Sequence, residues 1–199
     1  MSRPRSTTLK PGRLESLVEC VFSIAMTILV LDVKLPEGVS YTSDQLWTVL
    51  AAQGGILYNY VLSFALLGVF WIIHNRQFRH LERTNAAHVW LNIGMLACVA
   101  LVPFTTQLFH LDREGRTADI LFAANLLCIG LFMLGSWECA VRAKLLGPEV
   151  TPEDAAQGTR ANLAMPLAAT LALGLAFVIP GQASWAFLSI PLLVRLLRR

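Results

Sequence analysis

Apolar residues in this chain are gathered into six long runs, with most polar residues left in short segments between them. A soluble fold alternates apolar and polar positions along each element, so that one face meets water. Runs apolar on every side suit helices that cross a bilayer, where ~20 residues at ~1.5 Å each span a ~30 Å hydrocarbon core. The six cover residues 13–35, 56–73, 86–109, 118–141, 161–179 and 182–197. The second is preceded by an amphipathic stretch that Ser43 and Asp44 are placed to cap. Composition agrees: 55% of the 199 residues are hydrophobic and 15% charged, against about 25% charged in a soluble domain. The expected fold class is an all-α integral membrane protein, embedded in the lipid bilayer through six transmembrane helices.

The basic residues set an orientation, because cytoplasmic segments of membrane proteins are rich in Lys and Arg. Arg3, Arg5, Lys10 and Arg13 precede the first helix. Arg76, Arg79 and Arg83 follow the second, Arg142, Lys144 and Arg160 follow the fourth, and Arg195, Arg198 and Arg199 end the chain. These are 13 of the 16 basic residues, leaving Lys34, Arg113 and Arg116 for the other side. The alternation requires an even number of crossings and places both termini in the cytoplasm. Residues 1–12 are polar, carry Pro and Gly and show no periodicity, so a flexible cytoplasmic tail is expected there. Residues 13–199 then form one transmembrane domain. Pro36-Glu37-Gly38 ends the first helix, Pro103 kinks the third, and Pro180-Gly181 turns the chain into the last.

Several functions are excluded by what the chain lacks. The longest polar insert, residues 142–160, is too short for a catalytic domain, and there is no GxGxxG, P-loop, HExxH or GxSxG motif. No catalytic residues are expected and the chain is not read as an enzyme. Cys20, Cys98, Cys128 and Cys139 lie in apolar segments, without a CxxC pair or a matching histidine spacing. They read as small apolar fillers, so no metal site or cofactor is expected. No basic cluster interleaved with aromatics points to nucleic acid. There is also no TVGYG-like carbonyl filter.

The first helix departs from an ordinary span. Its uncharged run, residues 20–31, has only 12 residues, closed in by Glu15 and Glu19 before it and by Asp32 and Lys34 after it. A cleaved signal peptide would need a small-residue cleavage site, which Asp32-Val33-Lys34-Leu35-Pro36 does not supply. A helix shielded from lipid, with polar groups toward an internal pathway, accommodates the charges. At 100° per residue, Ser16, Ser23, Thr27 and Lys34 share one wedge, with Ile24, Ile28, Leu31 and Leu35 beside it. Helix packing explains both stripes, since small polar side chains allow close approach and branched ones fill grooves. A pore explains them too, with the hydroxyls of Ser23 and Thr27 as a polar ring and the isoleucines as a gate. Of the other ionisable groups, Glu138 has Arg142 four residues on, an i, i+4 ion pair. Glu19 has Arg13, His74 and Arg76 as partners on the same membrane side, and His88 and Asn92 lie one turn apart on the third span. A secondary transporter of cations or small solutes also remains open at this point, since Pro103, Pro166 and Pro191 permit broken helices.

The first helix resembles the signature of the transmembrane protein 175 family, the endolysosomal potassium channel and its bacterial relatives. That signature has an arginine, three residues and Phe-Ser-Asp, followed by an Ala-Ile-x-x-Thr-Leu-Leu-Val-Leu-Asp-like run. Here Arg13 fits, Leu17, Val18 and Glu19 stand where Phe, Ser and Asp are expected, and Phe22, Ile24, Ala25, Thr27, Leu29, Val30, Leu31 and Asp32 follow. The likeness continues through Phe64, Trp71-Ile72-Ile73-His74, Phe78, Asn92 and Pro103-Phe104-Thr105. It implies a homotetramer in a prokaryotic inner (plasma) membrane, with the first helices lining a central pore. It implies passive, weakly to moderately selective conduction of potassium ions. A hydrophobic constriction falls on Ile24, Ile28 and Leu31, and a selectivity layer on Thr27. The resemblance also implies a polar network of Arg13, Glu19, His74 and Asn92 that holds the pore helix. Val18 in place of serine, and glutamate in place of aspartate at Glu19, alter that network's hydrogen bonding.

Overall fold

The computed structural model describes residues 11–34, 38–112 and 114–197. It is all-helical: α1 (Pro11–Ile28), α2 (Ser43–Ala52), α3 (Gly54–Phe78), α4 (Ala86–Leu111), α5 (Arg116–Arg142), α6 (Pro152–Val178) and α7 (Ile190–Leu197), with 3₁₀ turns at Leu29–Asp32 and Ala183–Ser189. Most of the expected tail, residues 1–10, lies outside the described residues, as do Arg113, Arg198 and Arg199; Pro11 and Gly12 already belong to α1.

Helix starts follow local chemistry. Thr42 caps α2 in a capping box with Gln45, one residue before the expected Ser43-Asp44 cap. The Asn85 side chain accepts the His88 N–H at 2.8 Å to start α4. Thr151 and Asp154 form a second capping box at α6, with Pro152 in the first turn, where its missing N–H costs nothing. The regular α1 helix stops at Ile28, and the 3₁₀ turn ends with the Val33 N–H donating to the Val30 carbonyl. Such i→i+3 bonds take up carbonyls that a helix end leaves without donors. The expected helical end at Leu35 lies outside the described residues.

Among the described residues, five helices are long and apolar enough to cross a membrane: α1 with its 3₁₀ extension, α3, α4, α5 and α6. The stretch expected to form a sixth span is instead the 3₁₀ segment Ala183–Ser189 followed by the eight-residue α7. Long helices adjacent in the chain run antiparallel. Ser63 on α3 meets Thr106 on α4 while His74 meets Asn92. Asn125 on α5 meets the Cys98 carbonyl on α4, and Trp137 on α5 meets the Ala155 carbonyl on α6. The ends of α3 and α5 are tied by the Glu82 N–H to the Leu145 carbonyl and the Gly147 N–H to the His80 carbonyl, both 2.9 Å.

The core is a continuous apolar cluster through α1, α3, α4, α5 and α6, with Phe22, Phe70, Phe122, Leu67 and Leu126 sealed within it. Helix α6 supplies small residues, Ala164, Ala168, Ala169, Ala172 and Ala176, all buried. Small side chains let helix backbones approach, which substitutes for hydrophobic drive in lipid. At Gly130 on α5 an added Cβ would stand 3.0 Å from the Pro166 ring on α6, so a larger residue there requires the two helices to give by a few tenths of an ångström. On the opposite end, the buried Asp119 accepts the Gly181 N–H at 2.6 Å and the Ala183 N–H at 3.3 Å, pinning the turn after α6 to the start of α5.

Candidate functional site

Helix α1 packs on α3 and α4 through one stripe: Leu14, Val18, Phe22, Ala25 and Leu29. Val18, at 1% exposed, is part of this apolar seam. Val21 and Met26 flank this stripe half-buried, and the far side of the helix is exposed. Ile24 is 57% exposed, Leu31 62%, and Leu17, Ile28, Ser23 and Thr27 are exposed beside them. Around a helix of 100° per residue, Thr27 lies diametrically opposite the middle of the buried stripe. Ile24 stands about 60° to one side of it and Ser23 about 40° to the other. The Thr27 hydroxyl donates to the Ile24 carbonyl at 2.9 Å, which leaves its oxygen lone pairs free to accept. The structure therefore leaves the described members of both stripes, Ser16, Ser23, Thr27 and Lys34 with Ile24, Ile28 and Leu31, exposed.

A groove of about 480 Å³ runs beside this face. Val21, Ile24, Ala25 and Ile28 form one wall, and Ala100, Pro103, Phe104 and Gln107 of α4 the other. Asp32 closes one end, with its buried Oδ2 lacking a hydrogen-bond partner among the described residues. Pro103 places α4 backbone without an N–H donor at this wall. The hydroxyls of Thr105 and Thr106 both donate to the Val102 carbonyl, at 3.0 and 2.9 Å.

At the end of the bundle where α1 begins, a buried polar network links three helices. The His74 Nε2–H donates to Asn92 Oδ1 at 2.9 Å, which fixes the tautomer because the amide oxygen only accepts. Asn92 Nδ2 donates to the His88 carbonyl at 2.8 Å and to Ser136 Oγ on α5 at 3.0 Å. Thr84 and His88 Nδ1 share a 3.0 Å bond, and the His74 ring stacks on Phe78 at 4.2 Å between centroids. Of the residues expected together, His74 and Asn92 meet. Arg13 and Glu19 lie exposed on α1, with no hydrogen bond or ion pair among the described residues. Ser136 and the pair of Gln77 with Asn162, 2.9 Å apart, were not singled out from the sequence. A lone polar residue in an apolar run is the signal that marks them. Glu138 pairs with Arg142 at 3.5 Å, and also accepts the Thr159 hydroxyl from α6 at 2.6 Å.

Fold and site together define a polytopic, all-helical membrane protein whose first helix keeps an uncovered face of branched apolar and hydroxyl side chains. The family model described as endosomal/lysosomal potassium channel TMEM175 matches residues 13–103. A Streptomyces collinus protein named as a potassium channel is 32% identical over 172 residues, covering 84% of this chain and 82% of its own length. A second, from Chamaesiphon minutus and also named as a potassium channel, is 31% identical over 68% of each chain. The crystal structure of a lysosomal potassium-selective channel TMEM175 homolog from Chamaesiphon minutus superimposes with a TM-score of 0.74 at 26% identity, covering 94% of both chains. This chain belongs to the TMEM175 family. Its relatives carry the names of ion channels and not of enzymes.

Proposed function

We propose that this protein is a passive cation channel that conducts potassium with weak to moderate selectivity over sodium. Four copies assemble around an axis lined by α1. Ile24, Ile28 and Leu31 form the constriction, and Thr27, with Ser23 beside it, forms the polar layer. The observation that carries this reading is the uncovered face of α1. A protomer that buries Leu14, Val18, Phe22, Ala25 and Leu29 leaves an apolar and hydroxyl face with no cover of its own. An axis shared with three further copies gives it one. A ring of branched side chains excludes water when narrow, so the closed state blocks conduction by dewetting.

The rest of the assembly follows the same reading. Each protomer crosses the membrane six times, the 3₁₀ segment Ala183–Ser189 and α7 together making the last passage. Both termini face the cytoplasm of a prokaryotic cell, whose plasma membrane holds the protein. The channel domain runs from α1, which opens at Pro11, to the C-terminal segment, and no cofactor takes part. Arg13 and Glu19 find their partners only once copies assemble, completing the network that His74 and Asn92 begin within the protomer.

The test is conduction by the purified chain in potassium-loaded liposomes and in planar bilayers. Unitary currents that reverse nearer the potassium than the sodium equilibrium potential support the proposal. Saturable flux coupled to a second ion, without unitary currents, would replace it with a transporter.

A further inference from the structure

A second cavity, of about 490 Å³, lies at the end of the bundle where α1 begins and on the side of the protomer away from α1. Its walls come from the last turns of α3, the loop after α5, the start of α6, and α7. The half nearer the middle of the helices is apolar, with Val69 and Ile72 on α3 and Val194 on α7. The half at the helix ends carries Arg76, Gln77, Glu149 and Asn162.

These four groups form a complementary set. Neither Arg76 nor Glu149 belongs to an ion pair among the described residues. The other acid at the mouth, Asp154, is committed to the capping box of α6 through the Thr151 N–H at 3.0 Å and the Thr151 hydroxyl at 2.6 Å. His80 also lines the mouth. Gln77 and Asn162 are buried and bonded to each other through Gln77 Nε2 and Asn162 Oδ1. That bond leaves Gln77 Oε1 as an acceptor and Asn162 Nδ2 as a donor, neither with a protein partner among the described residues. The cavity thus offers a cation with a neutral donor, and an anion with a neutral acceptor, above an apolar slot.

We propose that this cavity binds a zwitterionic phosphoethanolamine lipid. The lipid phosphate accepts from the Arg76 guanidinium and Asn162 Nδ2. The ammonium donates to the Glu149 carboxylate and Gln77 Oε1, and an acyl chain lies along Val69, Ile72 and Val194. A choline headgroup has no N–H to donate, and a glycerol headgroup has no cation for Glu149, so both satisfy half of the site. Arg76 and Glu149 are exposed at the mouth while Gln77 and Asn162 are buried. Charge-assisted hydrogen bonds are the strong ones, and the ammonium contacts give about tenfold discrimination.

Native mass spectrometry of the delipidated full chain in detergent micelles tests this, with phosphatidylethanolamine, phosphatidylcholine and phosphatidylglycerol of identical acyl chains added separately. The expected result is one phosphatidylethanolamine retained per protomer, about tenfold above either other lipid. Glu149→Gln lowers retention to the phosphatidylcholine level, and Arg76→Gln lowers it for all three lipids. Arg76→Lys, which keeps the cation, retains most of it and guards against loss through misfolding. Ile72→Trp, which fills the slot with both charges kept, also loses the lipid. Soluble glycerophosphoethanolamine leaves the adduct in place. Equal retention of the three lipids, an unchanged Glu149→Gln adduct, or displacement by the soluble headgroup overturns the assignment. None of these readouts depends on ion conduction.

Discussion

Ile24 is a branched apolar side chain more than half exposed on a helix whose opposite face is sealed. If its ring is the barrier, a polar residue there wets the constriction. Ile24→Asn is expected to raise cation flux into liposomes by about tenfold or more, the effect of lowering a barrier by ~1.4 kcal/mol, and to weaken selectivity. Unchanged flux in well-folded protein removes Ile24 from the gate. Thr27→Val keeps the shape and removes the oxygen, so the potassium-to-sodium permeability ratio should fall several-fold in reversal-potential measurements. A ratio that stays put places selectivity elsewhere. Asn92 holds three hydrogen bonds among α3, α4 and α5. Asn92→Leu leaves the His74 Nε2–H and the Ser136 hydroxyl without this partner, at a cost of about 2 kcal/mol, read as a lower melting temperature in detergent. Single residues were legible in the sequence where a polar group interrupts an apolar run, as at His74 and Asn92. Their partner Ser136 was less so, because it belongs to a helix whose rotation a sequence does not specify.

Among the elements, helix starts were unevenly readable: α4 begins at Ala86 where its apolar run does, whereas α6 begins at Pro152, nine residues ahead of the apolar run expected from 161. The Thr151 and Asn85 caps are short-range chemistry between residues three apart. The cap of α5 reaches further. Asp112 accepts the Ala118 N–H at 2.9 Å and the Glu114 N–H at 3.1 Å. The Ala118 N–H first, and its neighbours after it, hold the Asp112 carboxyl below its ordinary value of 3.8. A carboxylate with a depressed folded-state pKa stabilises above its unfolded value, and that contribution is lost as pH falls through the folded one. Hydrogen exchange at the Ala118 amide should therefore be faster in Asp112→Ala than in the native protein at neutral pH. The difference should close in acid below the folded-state value; a difference that persists there would falsify the cap's charge dependence. The end of α1 was harder to read, because the apolar pattern runs on through Leu31 while the backbone tightens into a 3₁₀ turn after Ile28. Hydrophobic period does not distinguish those two windings over a single turn.

For the whole molecule, the proposed axial pore requires more than one copy. The mass of the detergent-solubilised protein, with bound detergent subtracted, should be four times the 21.9 kDa of the protomer. A monomer would leave the α1 face without its lining role and remove the channel mechanism with it. Five long apolar helices, their antiparallel order and the membership of the TMEM175 family were all legible in the sequence. The last segment was less so: its apolar residues suffice for a span, yet they divide between a 3₁₀ segment and the short α7. Length and hydropathy determine that a segment prefers lipid to water, and motif spacing determines kinship, because both are properties of residues near one another in the chain. Periodicity likewise determined that Thr27 and Ile24 lie on neighbouring stripes of α1. Only the tertiary structure decided which side of that helix is sealed and which is left open. The rotation of α1 is set by Phe22 and Leu29 packing into α3 and α4, contacts between residues far apart in sequence whose shapes select one orientation among several of similar hydrophobicity.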